Sequence, residues 1–498
     1  MKWHSLAQIL FGLLLVSCTK DSTNTFSDSD VAARVGNHVI TKDDFIRRTE
    51  YTVRPDYCKG SHYISKKIMM NSLITEKMFA IEAEKSGFLE NNKAFKRYIK
   101  GRREQAMRQF YYYDQAYSMV TLDSTEIQQL FAIAGRTIRV AYYTLPDEIF
   151  AQKTQIALDD GFTFEDIYSL FDNTTAVPEK DIDWTEIEDK VVLDHLFNND
   201  LKRGDVIGPI ETTDGSYILM KVQGWRDDSA ALTEKVAGER YNKVIEHLKN
   251  QKALLLFKKN ISGLMRGKTL NFDETIFKEY VRALGDWYLN DGKNKKLLIN
   301  QSIGLEDDNI TTYTGHQFPE DLMDENFVQM DDQWFSVREF QQILESHPLV
   351  FRRKTINKSE FAEETQKAIA DLFQDLELNK ECYRLEYDKE IVVQQNVSMW
   401  QDYYLAKAFR NNMIAEADPD STLLSNESML IEEVLNPIVN DLQKKYNDQT
   451  FIAADWLEDI GISTIDMSVI QPQMPYSVMV PAFPKMTTDT RLDYGQSL

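Results

Sequence analysis

The sequence predicts an α+β protein that is mostly helical, with an α/β segment inserted between two similar helical modules. Three observations predict this class. Residues 64–117 keep apolar side chains at helical spacing, residues 138–222 alternate short strands with short helices, and residues 328–415 repeat the pattern of 33–118. The helical period of 3.6 and the strand period of 2 distinguish the two kinds of segment.

The N-terminus has the pattern of a signal peptide over residues 1–17, with Lys2 as its positive start and an apolar stretch at 6–16. That stretch is too short for a permanent span, which needs about 20 apolar residues. Residues 15–18 (LVSC) resemble the lipobox of bacterial lipoproteins, which implies cleavage before Cys18 and a lipid on its sulfur. The alternative is an ordinary signal peptide followed by an incidental cysteine. By the same resemblance, Thr19 in place of Asp favours the outer membrane over the inner membrane.

Composition limits the classes of partner. A chain of 498 residues predicts three or four domains rather than one core. Residues 18–30 are polar and are predicted to be a flexible tether. The formal net charge of −22, with no basic stripe, argues against nucleic acid as a partner, because nothing would neutralise the phosphates.

Cysteine and histidine usage predicts neither a metal site nor a cofactor. Besides Cys18, only Cys58 and Cys382 occur, far apart in sequence. In an oxidising compartment they either pair or stay unpaired, and unpaired thiols are the more common arrangement for such a spacing. The seven histidines are scattered without the spacing of metal ligands.

Residues 31–130 are predicted to form a helical module. Its start, VAARVGNHVITKDDF, indicates a short strand pair around Gly36 and Asn37. A helix is then predicted to begin at Thr41, with Asp44 three residues later as its capping partner. Two long helices follow, and their apolar positions are Ile64, Ile68, Leu73, Ile74, Met78 and Ile81 in the first, then Phe95, Ile99, Ala106, Phe110, Tyr113 and Tyr117 in the second.

Residues 131–226 have the pattern of an α/β domain. IRVAYYTL at 138–145 predicts a strand, and two strands joined by a turn at Asp214 and Gly215 are predicted within 204–222. Three helices are predicted between these strands, at 147–161, 162–171 and 191–197.

The rest of the chain returns to helical periodicity. Residues 227–325 are predicted to be return helices and a linker. Residues 326–415 are predicted to be a second helical module, because 334–340 matches 39–45 as a strand end running into a capped helix. The alternative is chance similarity between two amphipathic hairpins. Residues 416–498 are predicted to be a helix followed by an extended, edge-pairing tail.

These segments, in this order, resemble the SurA/PrsA type of periplasmic foldase, in which a parvulin-type peptidyl-prolyl isomerase domain is inserted into a helical chaperone module. Residues 31–45 match the usual opening of that module, and the parvulin resemblance covers about 138–225. Within it, DIDW at 181–184 stands where the family has Gly-Asp-Leu-Gly-Trp, and 201–222 is similar to the family's closing hairpin. The resemblance implies, as partners, unfolded exported polypeptides and their proline-containing segments.

The resemblance also implies candidate catalytic positions. Parvulins lower the barrier to rotation about the peptide C–N bond, about 18–20 kcal/mol, without forming a covalent bond. By the family's pattern they use two histidines and an acidic or thiol side chain. In this sequence the histidines fall on Tyr142 and Tyr217, and the acid or thiol falls near Asp172 or Asn173.

Several of these positions depart from the family. A tyrosine has one O–H donor and a pKa near 10, unlike the two-nitrogen imidazole. The usual pocket methionine and phenylalanine fall near Glu188 and Val192, and a buried Glu188 would put a charge where a proline ring should bind. Tyr142, Tyr217 and Asp172 are therefore interpreted as degenerate catalytic positions with weak or no isomerase activity. The two tyrosines either contact each other in a peptide-binding cleft or are ordinary core aromatics.

The helical modules suggest a second candidate surface. Flexible methionine and aromatic side chains adapt to many partners, so they are suited to binding unfolded polypeptides. The alternative, more common for each residue, is that they are core. The candidates are Met69, Met70, Met78, Met107, Phe110, Tyr111, Tyr112 and Tyr113.

Three functions remain open from the sequence. The first is a lipid-anchored periplasmic chaperone for unfolded exported or outer-membrane proteins. The second is an active prolyl isomerase, since X–Pro isomerisation takes tens of seconds without a catalyst. The third is a structural adaptor that docks one fixed partner in an envelope assembly. The loss of both family histidines favours the first over the second.

Overall fold

The computed structural model describes residues 30–59, 62–87, 92–171, 176–184, 189–198, 200–212, 216–227, 234–290, 318–353, 356–462, 475–476 and 479–496. This part of the chain is α+β, largely helical with small antiparallel sheets, as the sequence predicts. The predicted signal peptide, Cys18, and the tether up to residue 29 lie outside the described residues.

The first described elements follow the predicted pattern closely. The strand pair turns at Gly36, whose φ of 56° is the left-handed conformation that favours glycine. The hydroxyl of Thr41 accepts from the Asp44 N–H and the Asp44 carboxylate accepts from the Thr41 N–H, which completes the predicted capping box. The elements are β1 (Val31–Val35), β2 (His38–Thr41), α1 (Lys42–Glu50), α2 (Tyr63–Lys85) and α3 (Lys93–Tyr112).

A four-stranded antiparallel sheet follows, in the order β4-β3-β6-β5. The predicted turn at Asp214 and Gly215 lies outside the described residues. The elements of this segment are α4 (Ser124–Ile133), β3 (Arg136–Leu145), α5 (Glu148–Asp159), α6 (Phe164–Phe171), β4 (Glu179–Asp183), α7 (Lys190–Leu196), β5 (Val206–Glu211) and β6 (Tyr217–Asp227).

The next part of the chain begins with one long helix and continues into a second three-stranded sheet. Ser336 and Glu339 form a capping box like that of Thr41 and Asp44, and the strand turn before it contains Asp331 at a φ of 53°. The elements are α8 (Glu234–Leu264), β7 (Leu270–Phe272), α9 (Glu274–Asn290), α10 (Glu320–Met323), β8 (Asn326–Met330), β9 (Gln333–Ser336), α11 (Val337–Leu344), α12 (Phe361–Arg384) and α13 (Ile391–Ala417).

The C-terminal part of the chain packs against the first described strands. β10 (Thr450–Ile452) pairs antiparallel with β1 and completes a sheet of order β10-β1-β2. This region therefore belongs to the hydrophobic core that β1, β2 and α2 form, which we call the first core. The preceding helices are α14 (Ser421–Ser425), α15 (Glu427–Leu430) and α16 (Asn436–Lys445).

The hydrophobic cores do not follow sequence order. α13 packs along α2, and the largest cluster combines residues 32–99 with residues 397–486. The core on one face of the four-stranded sheet includes Ile127 from α4 with Val244 and Leu248 from α8. The predicted bounds of 131–226 therefore cut through that core. Cys58 and Cys382 are both buried and unpaired, and they lie in different clusters.

Candidate functional site

The two tyrosines at the family's histidine positions lie on opposite faces of the four-stranded sheet. Tyr217 pairs across the strands with Leu145, so these two side chains share a face. Side chains alternate along a strand, and Tyr142 is three residues before Leu145 with no bulge between them. Of the two alternatives, a contact between Tyr142 and Tyr217 in one cleft is therefore excluded, because the register of β3 and β6 separates their side chains.

The surroundings of the two residues agree with this separation. Tyr142 packs against the cluster that contains Val192 of α7, whereas Tyr217 belongs to the cluster under α5 and α6. Tyr143 is the tyrosine of β3 that shares the Tyr217 cluster. Burial raises the pKa of Tyr143, and its hydroxyl donates to the carbonyl of Phe164 at 3.4 Å. Residue order alone did not indicate which of the neighbouring tyrosines faces Tyr217.

The remaining candidate positions from the sequence resemblance do not complete a catalytic site among the described residues. Asp172, Asn173 and Glu188 lie outside the described residues. Val192 is buried in the core beneath the sheet. Among the residues that the structure describes, no group of three or more His, Cys, Asp and Glu side chains is arranged to hold a metal ion.

Tyr217 is held by an arginine from a distant part of the chain. The Nη2 of Arg353, in the loop between α11 and α12, donates to the Tyr217 hydroxyl at 3.0 Å. The same guanidinium lies 2.9 Å from Glu211 and 3.6 Å from Glu148. Burial raises the pKa of Tyr217, and the negative charge of Glu211 adds to that rise. Arg353 thus joins the rim of the four-stranded sheet to the second half of the chain.

The methionine and aromatic side chains predicted to bind polypeptides are mostly core. Tyr113 is the clear exception, with 56% of its surface exposed, and Phe110 is only partly buried. The prediction of a client surface at these positions is therefore wrong for most of them, because their helices pack against other helices. The buried ones are Met69, Met70, Met78, Met107, Tyr111 and Tyr112.

A different apolar surface is exposed on α5 and α6, the helices that cover one face of the four-stranded sheet. The two helices bury Ala151, Phe164 and Ile167 against the sheet. Six large apolar side chains around them are 38–76% exposed, and the rings of Phe150 and Phe171 meet with centroids 5.9 Å apart. This α5–α6 apolar surface consists of Ile149, Phe150, Ile156, Phe162, Leu170 and Phe171.

The segment that forms the α5–α6 apolar surface is acidic, although Lys153 lies 5.6 Å from the centre of the Phe150 ring. Residues 147–171 contain six acidic residues and one basic residue, Lys153. Two of the acids are paired within the protein, Glu165 with Lys221 at 2.5 Å and Glu148 with Arg353 at 3.6 Å. The surface therefore combines exposed apolar groups with a negative rim, which suits a partner that is apolar and cationic.

A second cluster of charged groups is buried between α2 and α13. Lys77 lies 2.8 Å from Asp402, and Arg48 forms two hydrogen bonds to Glu76 at 2.7 and 2.9 Å. Burial by itself would lower the pKa of Lys77, but Asp402 and Glu76 outweigh burial and raise it. Each of these side chains has a partner of opposite charge within the core, so the cluster joins helices rather than meeting a substrate.

No described helix is both long and apolar enough to cross a bilayer. No protein-family model, curated protein or solved structure matches the chain.

Proposed function

We propose that the protein is a lipid-anchored periplasmic chaperone that holds unfolded exported or outer-membrane polypeptides. The observation that carries this proposal is the α5–α6 apolar surface. Exposed apolar patches with a polar rim are typical of protein-binding surfaces. Apolar burial is favourable and non-directional, so one surface can bind many unfolded chains.

Charge supports the same class of partner. The acidic rim of the α5–α6 apolar surface favours client segments in which apolar residues stand next to Lys or Arg. The net charge of −22 would keep a loaded complex soluble, because like-charged complexes repel one another.

The four-stranded segment is proposed to be a parvulin-like domain inserted into the chaperone, with weak or no isomerase activity. The sheet order β4-β3-β6-β5 supports the proposal, together with the sequence resemblance over 138–225. An active isomerase is the less supported function, because Tyr142 and Tyr217 have no common face on which to contact one peptide. Its lost activity is consistent with a binding role.

The helical parts are proposed to be two copies of one module. β1-β2-α1-α2-α3 and β8-β9-α11-α12-α13 have the same element order, and each begins with a left-handed turn residue and a capping box. In each sheet a third strand pairs with the first strand of the pair, β10 with β1 and β7 with β8. Backbones of 33–118 and 328–415 that do not superpose in this order would contradict the duplication.

Membrane attachment is proposed to occur through lipid on Cys18, with the chain facing the periplasm and the outer membrane favoured. Replacing Cys18 with Ser should release soluble protein from the membrane fraction. Mass spectrometry of the native membrane-bound protein should find a diacylglycerol-modified Cys18 at the N-terminus. An unmodified N-terminus on that protein would exclude lipid anchoring.

The test of the chaperone function is light scattering of a denatured outer-membrane porin diluted into buffer with the mature chain. In the variant Ile156→Gln/Leu170→Gln, we expect suppression of aggregation to require roughly tenfold more protein. Each exposed apolar side chain that is buried on binding contributes about 1 kcal/mol, and 1.4 kcal/mol is a factor of ten.

Leu255→Gln/Leu424→Gln is the matched control, because it removes two equally exposed leucines from other helices. If both variants lose the same amount of aggregation suppression, the effect comes from exposed apolar side chains in general and not from the α5–α6 apolar surface. No suppression by the unmodified chain would contradict the chaperone function and favour an adaptor for one fixed partner.

A further inference from the structure

The C-terminal segment 479–486, sequence MVPAFPKM, lies on the first core without belonging to any helix or strand. Its burial has a period of three: Met479, Ala482 and Lys485 are partly exposed, and the residues between and after them are buried, namely Val480, Pro481, Phe483, Pro484 and Met486. A period of three is that of an extended polyproline II chain, which has three residues per turn. Pro481 and Pro484 favour such an extended backbone.

The core holds this segment by its main chain. The Nη2 of Arg48 donates to the carbonyl of Ala482 at 2.9 Å, and the Nε of Arg410 donates to the carbonyl of Lys485 at 3.0 Å. Each accepting residue follows a proline. Because both acceptors are backbone carbonyls, these contacts do not depend on the side chains of the bound segment.

The Arg48 side chain is held in place by residues outside the segment. Glu76 holds its guanidinium through two hydrogen bonds, and the Tyr403 ring lies 5.7 Å below it. Arg48 is itself buried, so the second N–H of its Nη2, which does not bond to Glu76, needs an acceptor within the protein, and the carbonyl of Ala482 supplies it. An arginine and an aromatic ring beside apolar sites are suited to proline-containing extended segments.

The chain beyond residue 486 is attached separately. Asn71 donates to the carbonyls of Asp489 and Arg491, and the side chain of Asn436 bonds to Thr487 and Thr488. These contacts hold the chain after residue 486 through Asn71 and Asn436, side chains that do not contact 479–486 in any of these hydrogen bonds.

We propose that the surface formed by Arg48, Arg410 and the apolar sites of Val480, Phe483 and Met486 is a receptor for extended, proline-containing client segments. Residues 479–486 occupy it in cis and compete with clients. This inference rests on the proposed chaperone function but uses a different surface from α5–α6. A tethered competitor has an effective concentration in the millimolar range, so it holds back weak ligands until a client is abundant.

The probe is a fluorescent synthetic peptide of sequence MVPAFPKM, and the measurement is its anisotropy with the mature chain. We expect weak binding to the unmodified protein and at least roughly tenfold tighter binding to Phe483→Ser/Met486→Ser, because the cis competitor is weakened. Adding Arg410→Ala to that variant should reverse the gain. A folded double variant that binds no better, or a gain that survives Arg410→Ala, would overturn the proposal.

Two controls complete the test. The same peptide with both prolines replaced by glycine should bind less tightly, and equal binding would overturn the preference for proline. If the double variant unfolds, hydrogen exchange on the unmodified chain replaces it. Excess peptide should speed exchange at Met486, whose N–H donates to the carbonyl of Pro484, but not at Asp489, whose N–H donates to the Thr487 hydroxyl. Unchanged exchange under saturating peptide would overturn the proposal, whereas the porin assay tests the α5–α6 surface independently.

Discussion

Lys77 on α2 and Asp402 on α13 form a buried ion pair, with Nζ and Oδ2 2.8 Å apart and each side chain 6% exposed. The two residues are 325 positions apart in sequence. The pair joins α2 to α13, and the apolar residues of these two helices belong to the largest core cluster, which combines residues 32–99 with residues 397–486. A charge in that position is stable only while its partner is present.

Removing one partner of this pair should therefore destabilise the fold strongly. We expect Asp402→Asn to lower the free energy of unfolding by about 3–5 kcal/mol, because Lys77 would keep a buried charge without a full counter-ion. Lys77→Met/Asp402→Leu should recover much of that loss. Urea unfolding followed by circular dichroism measures both. Lys278→Ala, which breaks the exposed pair with Glu274, should leave stability almost unchanged, because solvent screens that pair.

Stability should depend on pH through His38. Burial alone would lower the pKa of His38, but Asp402, 2.9 Å from Nδ1, and Glu84 outweigh burial and raise the pKa above its ordinary value of 6.5. The stabilisation from the protonated ring is complete below pH 6.5 and is lost as the pH rises through the raised pKa of the folded state. Urea unfolding on both sides of this range should show falling stability with rising pH.

The variant His38→Gln should lose that part of the pH dependence. His62→Gln is the control, because the His62 side chain makes no capping hydrogen bond to its helix. If the pH dependence of the free energy of unfolding is unchanged in His38→Gln, that dependence comes from groups other than His38.

The contact between Arg353 and Tyr217 should hold the four-stranded sheet to the second half of the chain. We expect Arg353→Ala to lower the free energy of local opening at β5 and β6 by about 1–2 kcal/mol, the size of a partly buried hydrogen bond to a charged group. Hydrogen exchange at Glu211 and Ile218 measures this opening.

Arg352→Ala is the matched control for that experiment. Arg352 is the preceding residue, but its guanidinium is exposed and pairs with Asp371 of α12 rather than with the sheet. Equal acceleration of exchange in the two variants would show that the loop acts through its backbone rather than through the Arg353 side chain.

Histidines at both candidate positions should not confer isomerase activity. We expect Tyr142→His/Tyr217→His to show no more turnover than the unmodified chain in a protease-coupled assay on a proline peptide. The two imidazoles would lie on opposite faces of the sheet and could not form one hydrogen-bonded pair. Robust turnover by either protein would contradict the proposed loss of activity.

Local signals in the sequence predicted the elements well. The capping boxes at Thr41 and Ser336 need only residues three apart, so they are visible in the chain itself. The strand at 138–145 and the helices near 162–171 and 191–197 likewise follow from short periodic patterns. The α+β class follows from these elements taken together.

Which face of each helix is covered by another element could be learned only from the tertiary structure. Periodicity shows that Met69 and Met78 lie in an amphipathic helix, but not that α13 covers them. Periodicity also does not show that Ile156 and Leu170 are left uncovered by any other element. Packing between distant segments is therefore the reason that the proposed binding surface lies on α5 and α6 rather than on the helical modules.

The sequence by itself established the acidic character of this protein and predicted most of its helices and strands, because each depends on composition or on neighbouring residues. Only the tertiary structure decided that Tyr142 and Tyr217 are separated, that Arg353 reaches Tyr217, and that the C-terminal segment lies on Arg48. Strand register and contacts between distant residues are set by the packing of the whole chain, and a one-residue shift in register moves a side chain to the other face of a sheet.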